Sequence, residues 1–241
     1  MMLIAAILCL LAIKPGLTQD ESRNSIPLIG DTAPSFVAES TNGPIHFPED
    51  YERSWKILFA HPRDFTPVCS SELLELAFVQ REFDRLGAKL VVMSTDRLES
   101  HFAWKAALEE IPYRGRKPVK INFPLVEDSG YKVSELYGMT HPMAKKGPNI
   151  RGVFFIDREN FIRAIFFYPG EVGRNTNELL RTLEALQRSD NNFNIVAPAN
   201  WVSGEPLMVP YPTPLMLQNM LGENPLYFQY SWFMTYTYDP E

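Results

Sequence analysis

The chain has 241 residues, of which 45% are hydrophobic, so it can bury a substantial core without disulfide or metal support. Its formal net charge of −6 argues against a nucleic-acid partner, and its two cysteines exclude a disulfide framework. The length predicts one main domain with an appendage.

The N-terminal segment M-M-L-I-A-A-I-L-C-L-L-A-I is apolar and uncharged up to Lys14. It is shorter than the about 20 residues that a membrane-spanning helix needs, and its length is typical of the apolar part of a secretory signal. We therefore predict a signal peptide over residues 1–19 and a secreted or secretory-pathway protein without a membrane span. A cytoplasmic location is the alternative. Cleavage would remove Cys9 and leave Cys69 as the single cysteine.

The first clear strand signal is W-K-I-L-F-A, residues 55–60, an apolar run that ends before a proline. From Thr66 to Leu86 the apolar residues recur at spacings of three and four, which predicts a helix, and Gly87 follows as its C-terminal cap. Thr66 and Pro67 are typical of a helix start, because threonine is a good N-cap and proline is favoured at the first helical position.

The later segments continue the alternation of strands and helices. We predict strands within 88–94 and 123–128, helices near 98–110, 133–137 and 177–187, and a β-hairpin whose strands 152–157 and 161–168 flank the turn D-R-E-N. This order predicts an α/β fold with a mixed central sheet that is flanked by helices and has an antiparallel edge.

The composition changes after Asp190. Five prolines between residues 198 and 214 predict an extended, irregular C-terminal arm, which ends in the aromatic stretch 227–238. We therefore divide the chain into a main domain, residues 25–189, and an arm, residues 190–241.

Cys69 is predicted to lie at the third position of the helix that begins after Thr66. Unpaired backbone N–H groups and the helix dipole favour a thiolate there. Thr66 lies on the same helix face, so its hydroxyl could bond to the molecule that the sulfur attacks. A buried, inert cysteine is the alternative interpretation. The preceding strand ends at His61, which places the sulfur at the carboxyl edge of the sheet, where α/β folds place their sites.

The stretch P-R-D-F-T-P-V-C-S-S-E-L resembles the active-site signature P-x-x-x-T-x-x-C of the peroxiredoxins, in particular the one-cysteine subfamily with a long C-terminal arm. The resemblance continues, from about residue 25 to at least residue 210, through S-I-P-L-I-G-D-T-A-P-S-F, S-T-D-R-L-E-S-H-F-A-W, R-G-V-F-F-I-D, Y-P-G-E-V-G-R-N and P-A-N-W. It implies a thioredoxin-like fold and a thiol-specific peroxidase that reduces hydrogen peroxide and organic hydroperoxides without a cofactor.

The resemblance also implies roles for individual residues. Cys69 would be the nucleophile that is oxidised to sulfenic acid, Thr66 would hydrogen-bond the peroxide, and Pro62 would shield the sulfur. Arg151 would stabilise the thiolate and the charge that develops on oxygen. Three further residues match supporting positions: His61, Glu72 and Arg174. A structural ion pair is an equally good interpretation of the last two.

No cysteine follows Cys69, so a disulfide through the arm is impossible. An external thiol of the glutathione or thioredoxin type must therefore reduce the sulfenic acid. The resemblance further implies a homodimer or a larger homo-oligomer, because the arms of this family wrap a partner subunit and aromatic side chains supply interface area. The four histidines lack the spacing of a metal site, and no metal is expected.

Two other functions stay open at this point. A non-catalytic chaperone or binding protein on the same scaffold would be indifferent to the loss of Cys69. A phospholipase activity, which some animal members of the family add, would depend on Ser54. That serine lies in E-R-S-W-K and lacks the glycines of the motif G-x-S-x-G.

Overall fold

The computed structural model describes residues 26–140, 149–192 and 194–238. The strands are β1 (Phe36–Ala38), β2 (Ile45–Phe47), β3 (Trp55–Ala60), β4 (Ala88–Ser94), β5 (Leu125–Glu127), β6 (Arg151–Ile156), β7 (Ile162–Tyr168), β8 (Leu207–Met208), β9 (Tyr227–Ser231) and β10 (Met234–Thr237). The α-helices are α1 (Pro67–Arg85), α2 (Leu98–Leu108), α3 (Lys132–Leu136), α4 (Thr176–Asn191) and α5 (Pro214–Glu223).

The central sheet has five strands in the order β5-β4-β3-β6-β7. Strands β3, β4 and β5 are parallel, whereas β6 is antiparallel to β3 and β7 is antiparallel to β6. The α/β fold with a mixed sheet and an antiparallel edge is therefore confirmed. Because β6 is antiparallel to β3, the beginning of β6 lies at the same end of the sheet as the end of β3.

Every residue of β3 is buried, since helices or strands cover both faces of the sheet. Side chains on alternate positions enter two different apolar clusters. Trp55, Ile57 and Phe59 pack with the helices α1, α2 and α4. Leu58 and Ala60 pack on the other face, with residues of α3 and of the β1–β2 hairpin.

The start of α1 has the backbone that the sequence predicts. Thr66 is the N-cap in extended conformation and Pro67 is the first helical residue. Gly87 follows the helix with a φ of +63°, a left-handed conformation that glycine adopts without strain. The Thr66 side chain makes no capping hydrogen bond, however, because its hydroxyl donates to the carbonyl oxygen of Arg63 at 2.8 Å.

The arm contains more regular structure than its prolines predict. Helix α5 begins at Pro214, and the hydroxyl of Thr213 caps it by accepting from the Met216 N–H. The aromatic stretch forms an antiparallel β9–β10 hairpin that joins β8 in a three-stranded sheet. The expectation of an irregular arm was wrong because proline at a helix start favours a helix, and an alternating aromatic stretch can pair with itself.

The remaining predictions about chain organisation stay predictions. The signal peptide over residues 1–19 lies outside the described residues. The boundary at residue 189 falls in the last turn of α4, which ends at Asn191. Within the described ranges, no helix is both long and apolar enough to cross a membrane.

Candidate active site

Cys69 lies in the first turn of α1, directly beyond the carboxyl end of β3, and its side chain is fully buried. Arg151 is the first residue of β6, so the antiparallel pairing with β3 brings it to the same end of the sheet. Its Nη1 donates to the Cys69 sulfur at 3.2 Å. A guanidinium is always charged, so the sulfur faces a positive charge and an N–H donor.

Three further hydrogen bonds hold the Arg151 guanidinium in place. Its Nη1 also donates to Oε2 of Glu72 at 2.6 Å. Its Nε and Nη2 both donate to the carbonyl oxygen of Gly170, at 3.0 and 2.6 Å. Because both edges of the planar group are bonded, its orientation toward the sulfur is fixed before any substrate binds.

Glu72 joins the two buried arginines of the site. Arg174 donates to its carboxylate three times, from the backbone N–H, from Nε and from Nη2, each at 2.8 Å. Both side chains are almost completely buried. The structural ion pair between Glu72 and Arg174, one of the two interpretations of these residues from the sequence, is therefore present. The same carboxylate also contacts Arg151, so the pair is continuous with the group beside Cys69.

Arg174 also ties the ends of two strands together. Its Nη1 donates to the carbonyl oxygens of Ala60, the last residue of β3, and of Gly152 in β6, at 2.8 and 3.0 Å. The guanidinium lies over the ring of Phe59. Burial lowers the pKa of Arg174, and the hydrogen bonds and charge of Glu72 act in the opposite direction. Glu72 thus helps to keep this buried group charged.

The segment 61–66 connects β3 to α1 and carries two of the predicted site residues. Pro62 and Thr66 are both half-buried. The Thr66 hydroxyl uses its proton on the Arg63 carbonyl oxygen, so it could only accept a hydrogen bond from a peroxide while that bond persists. The roles predicted for Pro62 and Thr66 stay predictions.

His61 is fully buried, and its ring centroid lies 5.0 Å from that of Trp104 and 6.4 Å from that of His101. Its Nε2 is 3.6 Å from Oδ1 of Asp64, which is beyond hydrogen-bonding distance. Burial lowers the pKa of His61 well below its ordinary value, and the positive charges of His101, Arg174 and Arg151 lower it further. His61 is therefore neutral at physiological pH.

The sequence did not identify three groups that bond the site residues or the segment before α1. The Gly170 carbonyl belongs to the backbone, so no side chain in the sequence indicates its role. Asp64 and His101 are bonded to each other across 37 positions, and neither stands in a recognisable short motif with the other. Glu72 was identified, and its position three residues after Cys69 on α1 places both side chains on one helix face.

Ser54 lies at the opposite end of the sheet, just before β3 begins. The six residues of β3 separate it from the site by roughly 20 Å. In the part of the chain that the structure describes, its side chain has no hydrogen bond to a histidine, and no group of three or more metal-binding side chains occurs.

Comparison with known proteins agrees with this geometry. Residues 29–165 match the AhpC/TSA family, and residues 185–224 match the C-terminal domain of 1-Cys peroxiredoxin. A peroxiredoxin of Methanosarcina mazei is 45% identical over 189 residues, which are 78% of this chain and 86% of the relative. The chain belongs to the AhpC/TSA family. As a peroxiredoxin with the one-cysteine type of C-terminal domain, it is a thiol-dependent peroxidase, which confirms the predicted class of activity.

Other relatives include proteins that are named 1-Cys peroxiredoxins. The 1-Cys peroxiredoxin of Dictyostelium discoideum is 37% identical, over 75% of this chain and 73% of the relative. A yeast mitochondrial 1-Cys peroxiredoxin, solved to study thiol resolution through the glutathione and thioredoxin systems, superposes with a TM-score of 0.76 at 34% identity and covers 88% of this chain and 99% of its own. A cysteine-to-serine variant of peroxiredoxin 6 of Arenicola marina gives a TM-score of 0.78 at 28% identity, over 89% and 99% of the two chains. The thioredoxin-like peroxiredoxin fold is confirmed.

The burial of neutral His61 predicts a specific pH dependence of stability. The pKa of His61 in the folded protein lies below the unfolded value of 6.5, so the unfolded chain binds more protons as the pH falls through 6.5. We expect this histidine alone to contribute a loss of up to about 1.4 kcal/mol per pH unit below that point. Urea unfolding at pH 7.5, 6.5 and 5.5 should show that the free energy of unfolding falls less steeply with decreasing pH in His61→Phe than in the unsubstituted protein. Parallel curves would contradict the prediction.

Proposed function

We propose that Cys69 is the peroxidatic cysteine of this peroxiredoxin. Its thiolate attacks the hydroxyl-bearing oxygen of a hydroperoxide, so that a sulfur–oxygen bond forms as the oxygen–oxygen bond breaks. The sulfur becomes a sulfenic acid, and the departing oxygen takes up a proton and leaves as water or alcohol. The sulfur loses two electrons, and the peroxide gains them.

One observation carries this proposal: the Arg151 guanidinium donates to the Cys69 sulfur at 3.2 Å and is itself held by Glu72 and Gly170. In the transition state negative charge moves from sulfur to the leaving oxygen, and a fixed cation beside the sulfur stabilises both positions. The same cation beside an inert, buried cysteine would have no such use. We assign supporting roles to His61, Glu72 and Arg174, and peroxide contact and shielding to Thr66 and Pro62.

We further propose that an external thiol reduces the oxidised enzyme, because no second cysteine follows Cys69. The first thiol displaces water from the sulfenic acid and forms a mixed disulfide with Cys69. A second thiol then attacks the first, so that Cys69 is released as a thiol and the two external thiols leave as a disulfide. The yeast relative was solved in connection with the glutathione and thioredoxin systems, which supports a reductant of one of these types.

The arm supports a homodimer or a larger homo-oligomer. Large apolar side chains on it are exposed, among them Tyr211, Tyr230, Trp232 and Phe233. Trp232 and Phe233 form the turn between β9 and β10, where single-chain packing leaves them 72% and 59% exposed. Exposed aromatic side chains of this size are enriched at protein–protein interfaces. We also retain residues 1–19 as a signal peptide of a secreted or secretory-pathway protein, with a cytoplasmic location as the alternative.

The proposal is tested by mixing the reduced protein with one equivalent of hydrogen peroxide. Stopped-flow fluorescence should follow a fast single turnover, and intact mass should show the addition of one oxygen atom at Cys69. Trp104 is a suitable reporter, because its Nε1 donates to Ser70, the residue next to Cys69. Cys69→Ser supplies the background, and Cys9→Ser should react like the unsubstituted protein.

The result also decides between the alternatives. Oxidation of Cys69 no faster than that of a free thiol would contradict the proposal and favour a binding or chaperone role on this scaffold. Ser54→Ala is expected to leave the oxidation rate unchanged, because Ser54 lies at the other end of β3. A lipase activity that survives in Cys69→Ser and disappears in Ser54→Ala would establish the phospholipase alternative.

A further inference from the structure

A second polar network lies beside the site and ties the segment 61–66 to the start of α2. Asp64 is only 4% exposed although it lies in a connecting segment. Its backbone N–H donates to Asp96 Oδ2 at 2.7 Å, and its Oδ2 accepts from the Ser100 hydroxyl at 2.8 Å. The same Oδ2 lies 2.8 Å from Nδ1 of His101. Asp64 therefore anchors the segment between β3 and α1 to two other parts of the fold.

The two ring nitrogens of His101 both face hydrogen-bond acceptors. Nδ1 faces the Asp64 carboxylate, and Nε2 lies 3.1 Å from the carbonyl oxygen of Val126 in β5. A carbonyl oxygen only accepts, and a neutral imidazole has a single N–H to donate. With Asp64 ionised, both bonds can form only when each nitrogen of His101 carries a proton. With an ionised Asp64, these contacts are therefore those of an imidazolium paired with a carboxylate.

Acidic groups lie around His101. Its side chain and that of Asp64 are 0% and 1% exposed, so each charge is the main compensation for the other. Asp96 and Glu127 add negative charge from the neighbouring segment and from β5, and Glu127 Oε2 accepts from the Leu98 N–H at the start of α2. Arg151 and Arg174, which also act on His61, belong to the cluster around Glu72 that contacts Cys69 through Arg151.

The two buried histidines, His61 and His101, therefore have different surroundings. His61 stays neutral beside the site, whereas His101 bonds the Asp64 carboxylate. Asp64 is two residues before Thr66, the N-cap of the helix that carries Cys69. Moving Asp64 would move the segment in which a peroxide must meet both Thr66 and the sulfur.

We propose that His101, bonded through Asp64, is a positioning residue of the peroxidase reaction. This role rests on the proposed function of Cys69 and adds to it: Arg151 stabilises the charge, and His101 fixes the place where the peroxide binds. His101 itself touches neither the sulfur nor the substrate.

The protonation of His101 is tested on the unsubstituted protein. Long-range ¹H–¹⁵N correlation spectra of the histidine rings at pH 7 should show an imidazolium for His101 and a neutral ring for His61, with assignment from His101→Gln and His61→Phe. A neutral ring at His101 overturns the proposal. This measurement needs no enzyme activity, and a merely space-filling histidine would not give the imidazolium pattern.

The positioning role is tested by comparing two reactions of Cys69 in His101→Gln. We expect oxidation by hydrogen peroxide to slow about 10- to 100-fold, because a small misplacement of reacting groups has effects of this size. Alkylation of the same sulfur by iodoacetamide should not slow, because Arg151 still stabilises the thiolate. Phe102→Ala, at an exposed position of the same helix, is the matched control and should keep both rates.

The outcomes separate this role from the function on which it rests. If the unsubstituted protein is oxidised rapidly and His101→Gln is oxidised equally fast, the positioning role is wrong and the peroxidase function stands. If both reactions of His101→Gln slow together, His101 acts only on the general integrity of the site, and the positioning role is also wrong. Slow oxidation of the unsubstituted protein overturns the function and the role together.

Discussion

Replacing Arg151 by methionine is expected to slow the oxidation of Cys69 by hydrogen peroxide about 100- to 1,000-fold, the effect of removing one preorganised donor from a charge-developing site. Methionine retains much of the volume of the side chain but removes the Nη1 donor 3.2 Å from the sulfur. The measurement is the second-order rate constant from stopped-flow fluorescence, with the oxidised product identified by mass.

Two further variants make this prediction specific. Arg151→Lys keeps a positive charge but cannot bond Gly170 and the sulfur at the same time. Its oxidation rate should therefore lie between those of Arg151→Met and the unsubstituted protein. Arg163→Met is the matched control, because Arg163 lies on the adjacent strand β7 and binds Asp157 and Asp190 away from Cys69. A rate for Arg151→Met within a few-fold of the unsubstituted protein would remove Arg151 from the mechanism.

The second large effect is expected from Glu72→Gln, and it concerns both stability and rate. The substitution removes the negative charge that compensates two buried guanidinium groups, those of Arg151 and Arg174. Leaving buried charges without their partner costs about 3 to 5 kcal/mol. We expect a decrease of this size in the free energy of unfolding, measured by urea titration, together with slower oxidation of Cys69 because Arg151 loses one of its anchors.

Glu75→Gln, one turn later on the same helix, is the matched control. Glu75 pairs with Arg114 and Arg116 near the surface, and such pairs contribute between 0 and about 1 kcal/mol. The carboxylate is removed from α1 in both variants, and only the burial of the partners differs. Equal losses of stability in the two variants would contradict the importance that we give to the buried cluster.

The sequence predicted those parts of the site that depend on local signals. Thr66 and Pro67 mark a helix start by their intrinsic preferences, and that mark places Cys69 in the first turn. The apolar runs likewise predict strands β3, β4 and β6 because helices cover the central sheet on both faces. Arg151 was identified only through the resemblance of R-G-V-F-F-I-D to a known family, since nothing local connects it to Cys69.

The parts that escaped prediction depend on tertiary contacts. The bond between Asp64 and His101 joins the segment before α1 to α2, and either residue alone resembles an ordinary polar side chain. The bond from the Thr66 hydroxyl to the Arg63 carbonyl oxygen was not predicted either, because backbone preferences do not determine it. In the arm, proline content alone could not distinguish an irregular segment from one that begins a helix.

The distance along the chain between Cys69 and its donor Arg151 determines when the site forms during synthesis and folding. Arg151 follows Cys69 by 82 residues, and Glu72 reaches Arg174 across 102. A ribosome that has just released α1 has therefore produced a helix N-terminus with a cysteine, but not the cation that activates it. Only after the β6–β7 hairpin and the segment that follows it have docked does the sulfur acquire its full environment. A growing or unfolded chain thus carries an ordinary thiol, and reactivity toward peroxide reports that folding is complete.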